Sequence, residues 1–200
     1  MAEVLELRQY TVHPGRRDEL VETQEAVGAQ VLGQFRDLDD EDRFVLLSGF
    51  ADLETRARTL PAFHEDRATD VLLLRPVTDL ELKGHGPTTL VTVTICHLPP
   101  GGEEAFLDYF KSDVAPMLTA TGAEPLAVLR TLRAQNPLAE NANVVAWVTS
   151  YPGREELLEH VRMLGREGRW THDVLPTLTK QLSRPPEQLQ LSPTERSLLR

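Results

Sequence analysis

The 200-residue chain has one cysteine, three methionines, two tryptophans and only 6% aromatic residues. A single thiol, Cys96, excludes an internal disulfide and gives no sign of an oxidising compartment. Basic charge is scarce as well: 21 Lys and Arg stand against 31 Asp and Glu, a formal charge of −10. Nucleic acid is therefore not an expected partner, because a phosphate backbone demands a basic face and the basic residues here are interrupted by acids. Long apolar runs are missing. The first residues, Met1-Ala2-Glu3-Val4-Leu5-Glu6-Leu7, show no basic segment followed by an apolar one, and stretches such as Val144–Val148 are too short to span a bilayer. A cytoplasmic protein without a membrane partner is the expectation.

What is present is an order of elements that occurs twice. Leu5–Val12 reads as a strand followed by the turn His13-Pro14-Gly15-Arg16 and a helix opening at Asp18. Val91–Leu98 reads as a strand followed by Pro99-Pro100-Gly101-Gly102 and a helix opening at Glu104. Aligning Pro14-Gly15 with Pro100-Gly101 places Leu5 on Val91, Leu7 on Val93 and Leu20 on Phe106. Second strands are expected at Val31–Phe35 and Leu126–Leu132, and third strands at Phe44–Phe50 and Val144–Tyr151. Second helices begin near Asp52 and Arg154, and fourth strands fall at Val71–Val77 and Gln188–Leu191. Each half then reads β-α-β-β-α-β, the ferredoxin-like order. The expected fold is α+β: two tandem ferredoxin-like repeats, residues 1–83 and 88–200, forming an α+β barrel. The turn-rich linker Lys83-Gly84-His85-Gly86-Pro87 joins them. One chain can then close its own barrel, and a homodimer through other surfaces is compatible with this.

Helical periodicity supports the second half. Phe106, Tyr109, Phe110, Val114 and Met117 form an apolar stripe, with Pro116 expected to kink or shorten it. Leu157, Val161 and Leu164 form another, broken by Gly165 and Gly168 before a further segment from Trp170 to Leu182.

Glu6-Leu7-Arg8-Gln9-Tyr10 with Pro14-Gly15, the run Val31–Val45, and Val71-Leu72-Leu73-Leu74-Arg75-Pro76 together resemble the NIPSNAP family of the dimeric α+β barrel superfamily. The resemblance covers about residues 3–80 and is looser beyond, chiefly in element order and in Pro185-Pro186-Glu187-Gln188-Leu189. The chain departs from the family where Ala62–Arg67 runs almost directly into Asp70, without the family's insertion bearing Trp, His, Arg and Asn. The wider superfamily includes cofactor-free monooxygenases, isomerases and some haem enzymes, so the resemblance implies a ligand-holding barrel.

Alternation along the first strand sets Leu5 and Leu7 on one face, expected toward the helices, and Glu6, Arg8 and Tyr10 on the other, expected in the barrel interior. A carboxylate, a guanidinium and a phenol in one buried row either fix how the sheets register or orient a polar ligand and transfer a proton. These three are the candidate catalytic residues. The matching row of the second half, Thr92, Thr94 and Cys96, is uncharged. Cys96 lacks an adjacent base, since His97 points to the other face, and reads first as a small buried residue. Trp147 and Tyr151 share a face of the third strand, as core or as a flat wall for a planar substrate. Arg36 and Arg133 end second strands, where they meet an anionic ligand or pair with a surface acid. Arg36, Trp147, Tyr151 and Cys96 are thus the candidate substrate-binding residues. The six histidines show no metal-ligand spacing, so neither metal nor cofactor is expected; a haem would have to use His160 or His172. Two functions remain open: a cofactor-independent enzyme acting on a small polar or planar molecule by proton transfer, isomerisation or monooxygenation, and a non-catalytic binding or assembly module with a packed barrel.

Overall fold

The computed structural model describes residues 2–17, 29–59, 68–78, 89–132 and 143–199. The helix opening at Asp18, the linker at residues 83–87, His64, His85 and Arg133 lie outside them. The strands are β1 (Val4–Thr11), β2 (Gln30–Asp37), β3 (Arg43–Phe50), β4 (Ala68–Pro76), β5 (Leu90–His97), β6 (Ala127–Thr131), β7 (Val144–Tyr151) and β8 (Glu187–Pro193). They close into a barrel in the order β1-β3-β2-β8-β5-β7-β6-β4. Within each half the order is fourth, first, third, second, the ferredoxin-like arrangement. Two seams join the halves. In one, Phe35, Arg36 and Asp37 face Pro193, Ser192 and Leu191. In the other, Leu74, Arg75 and Pro76 face Thr131, Arg130 and Leu129.

The turns after β1 and β5 are alike. Arg16 N–H donates to His13 O at 3.0 Å and Gly102 N–H to Pro99 O at 3.1 Å. Gly15 and Gly101 hold φ of 77° and 81° at the third position. A proline followed by a left-handed glycine is the sequence signature of a type II turn.

The described helices are α1 (Leu53–Thr59), α2 (Glu103–Tyr109), α3 (Ala115–Ala120), α4 (Arg154–Arg166) and α5 (Leu175–Lys180). π-helical turns at Phe110–Val114 and Trp170–Val174 run into α3 and α5. The two stretches share a sequence, Asp113-Val114-Ala115-Pro116-Met117-Leu118-Thr119 and Asp173-Val174-Leu175-Pro176-Thr177-Leu178-Thr179. Pro116 and Pro176 lack the N–H that would bond four residues back. The chain answers by widening the preceding turn, so that Ala115 N–H reaches Phe110 O and Leu175 N–H reaches Trp170 O. The proline thus leaves the helix running and produces a π-turn instead of a break.

The barrel lumen is apolar. A single buried cluster takes a residue from every strand, among them Leu7, Phe35, Leu47, Leu74, Val93, Leu129, Ala146 and Leu191. This corrects the expected facing of β1. Leu5 and Leu7 point into the lumen, whereas Glu6, Arg8 and Tyr10 lie on the outer face, where Tyr10 packs with Phe44, Leu46 and Leu73. Apolar residues from all eight strands pack against each other in the lumen, with Gln9 donating to Glu187 at 3.1 Å on the same face. Among the described residues, the polar row Glu6, Arg8 and Tyr10 of β1 thus faces away from the lumen.

Candidate functional site

On the outer face of the first half, the Glu6 carboxylate sits between two guanidiniums. Arg8 Nε donates to Oε1, and Arg56 from α1 donates to Oε2 through Nε, at 2.5 Å, and through a terminal nitrogen. Glu6 and Arg8 are each 1% exposed. Burial works against the Arg8 charge, but Glu6, with help from Tyr10, holds its pKa above the ordinary value. Ser48 stands opposite Glu6 in the ladder. The three residues expected to be catalytic are thus together, but as a buried ionic cluster tying β1 to α1.

The equivalent face of the second half is built differently. Between the sheet and the helices lies a cavity of about 390 Å³, within the range of roughly 300–1,000 Å³ common for small-molecule sites. Its floor comes from β5, β7 and β8, with Thr92, Trp147, Thr149, Tyr151 and Gln188; its roof comes from α3, α4, α5 and the second π-turn, with Leu118, His160, Leu164, Trp170 and Leu178. No Asp, Glu, Lys or Arg lines it among the described residues. Register explains the floor: Thr92 opposes Thr149 and Thr94 opposes Trp147, so period-two alternation delivers one continuous face.

Three hydroxyls are linked in that floor. Thr92 and Thr149 Oγ1 lie 2.6 Å apart, and Thr149 Oγ1 donates to the Tyr151 oxygen at 3.5 Å. In that direction Thr92 donates to Thr149, and the Tyr151 proton is not used within the chain of hydroxyls. Burial pushes the Tyr151 pKa up, opposed by the two threonines, which keeps the phenol protonated. His160 packs beside it, ring centroids 5.6 Å apart. His160 Nδ1 lies 2.9 Å from Thr121 Oγ1 and 3.1 Å from Thr121 O. A carbonyl oxygen only accepts, and the Thr121 hydroxyl is spent on the Met117 carbonyl at 2.9 Å. Nδ1 therefore carries the proton and Nε2 the lone pair. Burial lowers the His160 pKa, partly offset by the Thr121 bond, so the ring is neutral at physiological pH.

Of the residues expected to bind substrate, Trp147 and Tyr151 line the cavity. Cys96 is fully buried beneath the same helices but does not line it, and burial pushes its thiol up to about 12, far from a thiolate. Arg36 lies in the β2–β8 seam opposite Ser192 and does not reach this cavity. His172 is exposed and outside the lining. Among the described residues no group of three His, Cys, Asp or Glu is placed to hold a metal. The described lining also offers no cation to meet haem propionates. Sequence reasoning missed Thr149, Trp170 and the part played by His160. The signal existed for His160: Leu157, His160 and Leu164 are the buried positions of α4, at steps of three and four, while Val161 is 54% exposed.

No family model matches the sequence, and a search of curated proteins found no match. Solved structures do match. A monooxygenase-like protein of Lactobacillus acidophilus has 12% identity and a TM-score of 0.59, covering 96% of this chain and 94% of that one. An anthrone oxidase-like protein has 15% identity and a TM-score of 0.69, covering 98% and 92%. A NIPSNAP family protein of Agrobacterium tumefaciens has 20% identity and a TM-score of 0.48, covering 61% of this chain and all of that one. These likenesses show the fold: a closed α+β barrel of two ferredoxin-like halves, as the sequence predicted.

Proposed function

We propose that the chain is a cofactor-independent enzyme acting on a small, planar, uncharged molecule, bound between sheet and helices of the second half. The carrying observation is the cavity itself: walled by Trp147 and Trp170, free of ionised side chains among its described lining, yet holding one hydroxyl donor and one imidazole acceptor side by side. A charged ligand entering it would lose its hydration without a partner, at a cost of several kcal/mol or more, about. A neutral ketone loses little. Tyr151 O–H donates to the carbonyl oxygen, and His160 Nε2 takes a proton from a C–H that the carbonyl acidifies by conjugation. The negative charge that develops on oxygen is met by the phenol and, behind it, by the Thr149–Thr92 chain. In the duplicated layout of residues 1–83 and 88–200, the second half keeps the site and the first half is stabilised by its ionic cluster.

Anthrone is the first probe, since one structurally similar protein is described as anthrone oxidase-like. Its methylene protons are acidified by the carbonyl across the ring. With dioxygen as oxidant, the methylene becomes a second carbonyl; one oxygen atom enters the product and the other leaves with the two hydrogens as water. The expected result is quenching of tryptophan fluorescence on adding anthrone, lost in Trp147→Ala, together with anthraquinone formation under air that is lost in Tyr151→Phe. Binding without any turnover would favour the non-catalytic reading, which the filled lumen also suits.

A further inference from the structure

A second hollow, of about 490 Å³, lies against the first cavity and is lined by Thr121, Gly122, Pro152, Glu155, Glu156, Glu159 and His160. Among the described residues, His160 alone lines both spaces. Its two nitrogens are not equivalent with respect to them. The Nδ1 proton is held by Thr121, which lines the outer hollow and not the inner cavity. The ring packs at a tilt of 43° against Tyr151, which lines the inner cavity and not the hollow. The three glutamates are exposed, one of them, Glu159, paired with Arg162. The imidazole therefore stands as a wall between an uncharged interior and a carboxylate-lined, water-accessible recess.

We propose that His160 is the proton conduit of this site, taking a proton at Nε2 from the inner cavity and giving up its Nδ1 proton to the outer hollow. This rests on the reading of the inner cavity as a substrate site. Deprotonation of the bound ketone moves the C–H proton to Nε2, leaving the electron pair on the enolate and making an imidazolium. The imidazolium is neutralised when Nδ1–H passes to a water in the hollow, whose hydronium charge the glutamates attract. The enolate carbon takes a proton from water entering the inner cavity, the hydroxide so formed removes Nε2–H, and the ring resets when Nδ1 regains a proton from the hollow. No oxidant is consumed in this cycle, and its net result is exchange of the substrate hydrogen with solvent.

Two measurements test it. In the unliganded protein, nitrogen-15 NMR of His160 is expected to show the Nδ1–H tautomer. Exchange of that proton with water should be accelerated more by a neutral amine buffer, whose conjugate acid is cationic, than by phosphate. The preference should vanish in the combined Glu155→Gln, Glu156→Gln, Glu159→Gln variant. In the second arm, anthrone is held under nitrogen in deuterium oxide and loss of its methylene proton signal is followed. His160→Gly is expected to slow this by about a hundredfold or more, with added imidazole restoring part of the rate. An Nε2–H tautomer, or Nδ1 exchange indifferent to the buffer's charge, would overturn the conduit. So would wild-type exchange rates in a His160→Gly protein that binds anthrone. Failure of the wild-type protein to bind anthrone at all strikes the substrate reading instead, and the NMR arm then decides the conduit by itself.

Discussion

Glu6 and His160 are both buried titratable residues on the helix side of the barrel, and they behave oppositely. Glu6 is held by two cations, so removing its charge strands both. Glu6→Gln is expected to destabilise the protein by about 3–5 kcal/mol, measured by chemical denaturation. Arg8→Met should cost less, because Arg56 still faces the carboxylate. His160 is held neutral. Its folded pKa lies below the unfolded value of about 6.5, so between the two the unfolded chain binds more protons and stability rises with pH. Stability should therefore fall as pH drops below about 6.5, and His160→Gln should flatten that slope. The groups around this ring are Tyr151, Thr121 and the three glutamates of the hollow. His97, lowered by burial and by Arg184, keeps its own share in the variant. At this scale the sequence was legible in identity but not in placement. Alternation put Glu6, Arg8 and Tyr10 on one face and Leu5 and Leu7 on the other. It could not say which face closes on the lumen, because both faces of β1 are buried, from Val4 to Tyr10.

Among the elements, the strands were read to within a few residues, with Val144–Tyr151 matching at both ends. Periods of two and the glycine turns carry that information locally. The stripe from Phe106 to Met117 was read correctly, but in α4 the buried place given to Val161 belongs to His160, and Pro116 is met by a π-turn, a wider step that a 3.6-residue period does not announce. The two π-turned stretches are joined side to side: Tyr109 donates to Val174 O at 3.1 Å and Arg169 pairs with Asp113. Each delivers a leucine, Leu118 and Leu178, to the cavity roof. Enlarging one of them should fill the cavity without unfolding the protein. Leu178→Phe is expected to weaken anthrone binding by about tenfold or more, read by titration, with the thermal midpoint unchanged or raised.

For the whole molecule, the lumen and the seams decide stability. Gly33 lies on β2 at a register shift, and a Cβ there would meet the Phe35 ring at 2.2 Å. Phe35 is 1% exposed and fills the lumen, so Gly33→Ala should cost about 1–3 kcal/mol by overpacking, measured by urea denaturation. In the β4–β6 seam, Arg75 stands directly opposite Arg130. Arg130 is relieved by Glu103 and Glu104, yet two cations across a ladder repel. Arg75→Glu is expected to add about 0.2–1 kcal/mol, a gain that should shrink in high salt.

Each seam is only three residue pairs long, against eight for β1 with β3 or β5 with β7. The barrel is thus a ring fastened by two short clasps, and while both are shut none of its strands offers a free edge. Opening them bares four strand edges at once, each already shaped to receive the opposite half. Two chains opened together could then exchange halves and reseal, every hydrogen bond remade across molecules instead of within one.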